Sequence, residues 1–139
     1  KQHSKNALYL AKKFEELNLT TYYPGLNQHP NHEIMKKSMN HEFGFGGMLM
    51  VDTGNMKKAY NLMEEMQSEK IGYLAVSLGF YKTLFSAPGA STSSEIPLEE
   101  QKKMGLSDGF VRMSVGIDND IKRTFEKIKH CMKKTNIIR

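Results

Sequence analysis

Apolar positions along the chain alternate between two spacings. Ala7, Leu10, Ala11, Phe14 and Leu17 recur at helical spacing and predict a first helix over Ser4 to Leu17, with Ser4 as its cap and Asn18 as its stop. Thr20 to Tyr23 is β-branched and aromatic and reads as a short strand, closed by a Pro24-Gly25 turn. His29 to Glu33 reads as a helix entry, with Ile34, Met35 and Met39 as a short apolar face. Phe43 to Gly47 is glycine-rich and predicts a loop, and Met48 to Val51 predicts a compact strand. Asn55 is placed to cap a third helix whose face is Met56, Ala59, Tyr60, Met63 and Met66.

Tyr73 to Leu78, apolar except for Ser77, reads as a buried strand, with Thr83 to Phe85 as a short neighbour. Ser86 to Pro97 is rich in Ser, Thr, Pro and Gly and reads as a loop. Leu98 to Met104 predicts one or two helical turns, Ser107-Asp108-Gly109 a turn, and Phe110 to Val115 a strand. Asp118 or Asn119 is expected to cap the last helix, with Ile121, Phe125, Ile128, Cys131 and Met132 on its core face. Lys133 and Lys134 near its end suit the helix dipole. This order predicts a mixed α/β or α+β domain, one sheet with helices mainly on one face. No repeat of fixed period and no internal linker is visible, so a single domain over 1–139 is expected.

Composition narrows the class. With 139 residues, 39% hydrophobic and 25% charged, the chain is long enough to bury one core without disulfides or a structural metal. No apolar run approaches the roughly 18 residues of a membrane span. One cysteine among ten methionines suits a reducing, cytoplasmic setting. No secretory signal is visible behind Lys1, Gln2 and His3, and a first residue other than Met suggests a fragment or a processed chain. The net charge of +5 is spread over every helix and mixed with Glu, so a solvated surface is expected rather than a nucleic-acid site.

Several residues invite chemistry. His29-x-x-His32 beside Glu33, with His41 and Glu42 nearby, has metal-binding residue types. The spacing is not HExxH and His29 precedes Pro30, so capping and packing roles are expected and no metal. Phe43-Gly44-Phe45-Gly46-Gly47 has the composition of a phosphate loop but precedes a strand, where such a loop opens a helix. Its glycines are expected to permit close packing or sharp turns. The hydroxyls of Ser86 to Ser94 lack a G-x-S-x-G elbow and suggest a loop lining a cleft. Cys131 reads as a buried structural thiol. Arg112 is the most informative position, because it interrupts the apolar strand Phe110-Val111-Arg112-Met113-Ser114-Val115. Either it points to solvent, or it grips a carboxylate through two parallel hydrogen bonds. Phe110 and Ser114, which share its side of the strand, leave that choice open.

Three segments narrow it. Tyr22-Tyr23-Pro24-Gly25-Leu26 with His29-Pro30-x-His32-Glu33 comes first, followed by Leu74-Ala75-Val76-Ser77-Leu78-Gly79. Ser107-Asp108-Gly109-Phe110-Val111-Arg112-Met113-Ser114-Val115-Gly116 is the third. In that order and spacing, with Phe45-Gly46-Gly47-Met48 before a strand, the chain resembles the C-terminal domain of the Cys/Met-metabolism pyridoxal-phosphate enzymes. These include methionine gamma-lyase, cystathionine gamma-synthase, and the cystathionine beta- and gamma-lyases. The resemblance covers nearly the whole chain and implies the small C-terminal domain of fold type I, with a mostly antiparallel sheet. It implies that Arg112 binds the substrate α-carboxylate, and that Ser77, with Leu78 after it, lies beside the cofactor lysine and that carboxylate.

The same resemblance implies what is missing. The Schiff-base lysine, the Asp for the pyridine nitrogen, the stacking Tyr and the phosphate loop belong to a larger domain, and none of those motifs occurs here. No catalytic residue is therefore expected in this chain. Pyridoxal 5'-phosphate (PLP) is expected only in a full-length enzyme, and the chain alone is expected to be inactive. The implied partners are an amino-acid substrate, an N-terminal PLP-binding domain of the same enzyme, and a second copy in a homodimer or homotetramer. Nucleic acid and membrane are not expected. The family's Gly-Gly-x-Glu-Ser-Leu is Gly79-Phe80-Tyr81-Lys82-Thr83-Leu84 here, so a cation replaces a carboxylate linked to substrate choice. Lys82 and Tyr81 thus become candidate specificity residues. The family's His-Pro-Ala-Ser-x-Thr-His is Ala87-Pro88-Gly89-Ala90-Ser91-Thr92-Ser93, without either His. The expected function is the substrate-binding domain of a PLP-dependent lyase or transferase of sulfur amino acids. The alternative is a stand-alone, non-catalytic binding or assembly module with the same fold.

Overall fold

The computed structural model describes residues 1–88, 98–103, 105 and 107–139. Most of the expected Ser86 to Pro97 loop, and Met104, lie outside these residues. The described strands are β1 (Thr21–Tyr22), β2 (Met48–Asp52), β3 (Gly72–Leu74), β4 (Thr83–Ser86) and β5 (Phe110–Ser114). They form one open sheet in the order β1-β2-β5-β4-β3. Every neighbouring pair is antiparallel except β3 and β4. The helices are α1 (Gln2–Glu16), α2 (His32–Ser38), α3 (Met56–Ser68), α4 (Leu98–Lys103) and α5 (Ile121–Lys134). Among the described residues no helix is long and apolar enough to cross a membrane.

Alternation along the central strand builds the core. Val111, Met113 and Val115 are buried together with Leu49, Val51 and Phe85 of the flanking strands. Ala7, Leu10, Ala11 and Phe14 of α1 and Ala59, Leu62, Met63 and Met66 of α3 pack in the same cluster. α5 lies against both α1 and α3 and adds Phe125, Ile128, Cys131 and Met132. Each large side chain contributes roughly 1.5–3 kcal/mol by this burial. The Asn55 side chain caps α3 by accepting from Lys58 N at 2.9 Å, as its position predicts.

Several boundaries differ from expectation, each for a local reason. Ser4 is not a cap. α1 begins two residues earlier, and the buried Ser4 hydroxyl accepts from Gly46 N at 3.0 Å. Asp120, rather than Asp118 or Asn119, caps α5 by accepting from Arg123 N at 3.1 Å. Asp118 instead bonds Asp120 N and the Thr124 hydroxyl. α2 buries only His32, and Ile34 is 65% exposed, because the helix lies outside the sheet–helix interface. Met56 and Tyr60 likewise lie on the exposed side of α3, where Leu62 takes the core position. Ser86 ends strand β4 rather than starting a loop.

The largest departure is the apolar run at Tyr73 to Leu78. It is an edge, not a buried strand. β3 ends at Leu74, and Tyr73, Leu74, Val76 and Leu78 are exposed. Beyond Ala75 the chain leaves the ladder and is tied to the far end of β5. Gly79 N donates to Ser114 Oγ at 3.2 Å, and Gly116 N donates to Thr83 Oγ1 at 3.0 Å. Ile117 N donates to the Tyr81 carbonyl at 2.7 Å. On the other side, His3 Nδ1–H donates to the Val115 carbonyl at 2.6 Å and Asn6 Nδ2 to that of Gly116 at 3.1 Å. Gly116 is where these segments meet, and a Cβ there would lie 2.5 Å from Tyr81 O and from Lys82 C.

Two stability measurements follow from this packing. Burial pushes the Tyr23 hydroxyl up to about 12 and the Cys131 thiol up from 9.0 to about 11, the latter aided by the Glu65 and Glu69 carboxylates. Both folded values exceed the unfolded ones, so the native state holds these protons more tightly. Stability is then intact below pH 9 and falls as pH rises from 9 to 12, by about 2–3 kcal/mol per group. Urea unfolding from pH 8 to 12 should show this, with the pH 9–11 part reduced in Cys131→Ala. Gly116→Ala forces the Tyr81–Thr83 backbone away from β5 and is expected to cost about 1–3 kcal/mol in the same assay at pH 7.

Candidate functional site

With Val111, Met113 and Val115 turned into the helix layer, Phe110, Arg112 and Ser114 occupy the opposite face of β5. Register then aligns one row across four strands: Tyr22 of β1, Met50 of β2, Arg112 of β5 and Ser86 of β4. Arg112 is half-buried at the centre of this row and has no ion pair or hydrogen bond among the described residues. Asp52, on the same side of β2, is occupied by Gly54 N at 2.8 Å and the Ser107 hydroxyl at 3.2 Å. Ser86 is 4% exposed, and its Oγ has no partner among the described residues. An unpaired buried hydroxyl costs roughly 1–3 kcal/mol, so the row carries unspent hydrogen-bonding capacity at two adjacent positions.

The segment after β3 reaches the same face. The Gly79–Ser114 hydrogen bond holds Ser77 and Leu78 near the C-terminal end of β5, on the side that bears Arg112. Ser77 and Leu78 are both exposed. Around them Val76, Phe80, Tyr81 and Ile117 leave an apolar surface uncovered.

The structure sets the two candidate specificity residues apart from this row. Lys82 Nζ donates to the Tyr73 hydroxyl at 3.0 Å, and sits 5.1 Å from the Tyr73 ring and 5.7 Å from the Tyr81 ring. The Tyr73 hydroxyl, then the charge interactions with Tyr73 and Tyr81, hold the ammonium above its ordinary value. Lys82 is thus turned toward Tyr73 at the β3 edge, and the Tyr81 carbonyl is tied to Ile117 N beyond the end of β5, so neither belongs to the row of Arg112 and Ser86.

The remaining candidates have structural partners. His29 Nδ1 accepts from Asn31 N at 3.1 Å. His32 donates through Nδ1 to the Pro24 carbonyl at 2.7 Å and stacks on Phe45 at 5.0 Å between centroids. Among the described residues no group of three or more His, Cys, Asp or Glu side chains gathers. In the glycine loop, Gly44 and Gly46 adopt φ of 78° and 88°. Gly46 O accepts from the Tyr23 hydroxyl at 2.8 Å, and Gly47 O from Val115 N at 2.8 Å. Its polar groups are thus spent on α1, β5 and Tyr23. Cys131 is buried in the core.

Ser86 is expected only as the start of a cleft-lining loop and Ser114 only as a neighbour of Arg112, and neither is expected to face an anion. Ser114 was detectable, because it follows Arg112 by two residues on an alternating strand. Ser86 was hidden by ending β4 one residue early, which removed it from the row it shares with Arg112.

Known proteins resemble this chain in sequence and fold. A family model described as Cys/Met metabolism PLP-dependent enzyme matches residues 1–130. Methionine gamma-lyase from Arabidopsis thaliana is 42% identical over 117 residues, covering 84% of this chain and 26% of that enzyme. A cystathionine beta-lyase from Lactococcus lactis subsp. cremoris is 36% identical over 133 residues, covering 90% of this chain and 33% of that enzyme. The crystal structure of cystathionine gamma-lyase from yeast superposes with a TM-score of 0.85 at 29% identity, over 97% of this chain and 34% of that one. The chain therefore spans between a quarter and about a third of the length of these relatives. Fold, sequence and the match over 1–130 agree: this chain belongs to the Cys/Met metabolism family of PLP-dependent enzymes.

Proposed function

We propose that residues 1–139 are the C-terminal, substrate-side domain of a PLP-dependent lyase or transferase acting on sulfur amino acids, and that Arg112 receives the substrate α-carboxylate. The observation that carries this reading is an arginine half-buried at the centre of the sheet with no anion among the described residues. Two parallel N–H bonds from a guanidinium match a carboxylate better than any other side chain does. The apolar surface of Val76, Leu78, Phe80, Tyr81 and Ile117 supports docking of the larger part of the enzyme on this side. The limited coverage of the relatives supports the existence of such a part.

The donor set of this face fits one side of a PLP site. Arg112 and Ser86 are donors without acceptors, suited to a carboxylate held beside the cofactor. Asp52 Oδ1 already accepts from Gly54 N and from the Ser107 hydroxyl, which commits that side chain to the turns at the other end of the row. This chain's residues thus supply substrate-binding groups, and the groups that hold the cofactor come from the rest of the enzyme. PLP, when bound, supplies the electron sink for chemistry at Cα. Arg112 neutralises the carboxylate and fixes its plane, so that the Cα–H bond is held toward a base in the other domain. Ser77, on the segment pinned by Gly79 to Ser114, supports that base or the carboxylate from the end of β5. Lys82 and Tyr81 border the entry and disfavour a substrate with a distal ammonium. Alone, the chain lacks half of the site and is inactive.

In the full-length enzyme, Arg112→Ala is expected to raise KM and lower kcat/KM for L-methionine by roughly 100-fold or more, about 3 kcal/mol, with partial recovery in Arg112→Lys. An unchanged kcat/KM in steady-state assays sinks the assignment. Lys82→Glu is expected to raise the kcat/KM ratio of cystathionine to methionine several-fold. A ratio that stays constant removes Lys82 from specificity.

A further inference from the structure

We propose that Ser86 Oγ is a second donor to the anion that Arg112 binds, so that the two residues form one carboxylate pocket across β4 and β5. The proposal rests on the carboxylate role of Arg112 and adds a residue to it. Ser86 is the direct cross-strand partner of Arg112. Such partners share a face, with Cβ atoms about 4.5–5.5 Å apart. On the other flank the partner of Arg112 is Met50, which has no donor. The other hydroxyl on this face, Ser114, accepts from Gly79 N and by register sits opposite Leu84 and Met48, one row away from Arg112. The Thr83 hydroxyl receives Gly116 N. The Ser86 hydroxyl is 4% exposed and alone among described buried side-chain groups in lacking a partner.

A buried hydroxyl without a partner is rare in a folded protein, and a bound group is one common cause. The chemistry of the ligand follows from its neighbours. A carboxylate offers about four lone-pair sites on two oxygens. A guanidinium binding side-on uses one site on each oxygen, which leaves one free on the oxygen nearer β4. The Ser86 O–H donates to it without displacing any bond now present in the protein. One guanidinium and one hydroxyl supply a single positive charge and three donors, which suits a planar monoanion.

The test uses the full-length enzyme and calorimetric titration with two probes. L-norleucine carries the carboxylate, and 1-pentylamine is the same chain without it. Ser86→Ala is expected to weaken norleucine about tenfold, which is about 1.4 kcal/mol, and pentylamine less than twofold. Arg112→Ala is expected to abolish the preference for norleucine, and adding Ser86→Ala to it to change nothing further. The melting temperature of Ser86→Ala without amino acid is expected to equal or exceed that of the unsubstituted enzyme, because the unpaired hydroxyl is gone. If Arg112→Ala keeps the preference, the carboxylate role of Arg112 falls. If Arg112→Ala loses it while Ser86→Ala leaves both probes unchanged, only the Ser86 proposal falls. Equal weakening of both probes with a lowered melting temperature assigns Ser86 a structural role and also overturns the proposal.

Discussion

The parity of β5 is the constraint on which the rest of this structure depends. Side chains alternate along a strand, so fixing Val111, Met113 and Val115 in the core fixes Phe110, Arg112 and Ser114 on the opposite face. A slip of one residue would drive the guanidinium into the cluster of Phe14, Met63 and Met132, where it would have no partner. Three fully buried apolar side chains therefore determine the direction of one cation. Antiparallel neighbours on both sides carry that parity across the sheet, which places Met50 and Ser86 in the same row.

The exit of β5 adds a second restraint. Val115 to Ile117 accept hydrogen bonds from α1 and donate them to the glycine loop, to Tyr81 and to Thr83 at nearly the same place. His3 and Asn6, although polar, are used as structural latches there. The closeness of Gly116 to Tyr81 and Lys82 makes this junction intolerant of any side chain. A segment with little regular structure, 75–82, is thereby held in one position relative to Arg112. The apolar side chains it exposes are held in that position as well, which suits a surface met by another rigid body rather than by water.

The elements that bury one clear face were legible in the sequence. The α1 and α5 stripes and the β5 strand follow from spacing, because burial and periodicity report the same thing there, and on α3 this holds for Ala59, Met63 and Met66 but not for Met56 and Tyr60. Tyr73 to Leu78 was misread for a related reason. A mostly apolar run signals burial, and within this chain the run lies at an open edge. Ser4 resembled a cap because the loop that uses its hydroxyl lies 42 residues away. The family motifs pointed to Arg112 and Ser77, yet no local pattern marked Ser86. Its importance comes from pairing with a strand 26 residues later, which spacing alone does not encode.

Polar accounting and hydrophobic accounting single out the same side of the molecule. On the helix side, apolar side chains are covered, and the buried polar groups of Asn6, Thr53 and Tyr23 have bonds. On the other side, a guanidinium and a hydroxyl stand unpaired among the described residues while large apolar side chains face solvent nearby. A self-sufficient domain has no reason to concentrate both deficits in one region, since each lowers its stability. Both are relieved at once if that region is one wall of a site completed by more protein and by an anionic ligand. A wall of this kind also excludes water when the site closes, and exclusion of water strengthens the contact between guanidinium and carboxylate. Among the described residues the two deficits thus coincide on the side of the sheet where we propose that the substrate binds.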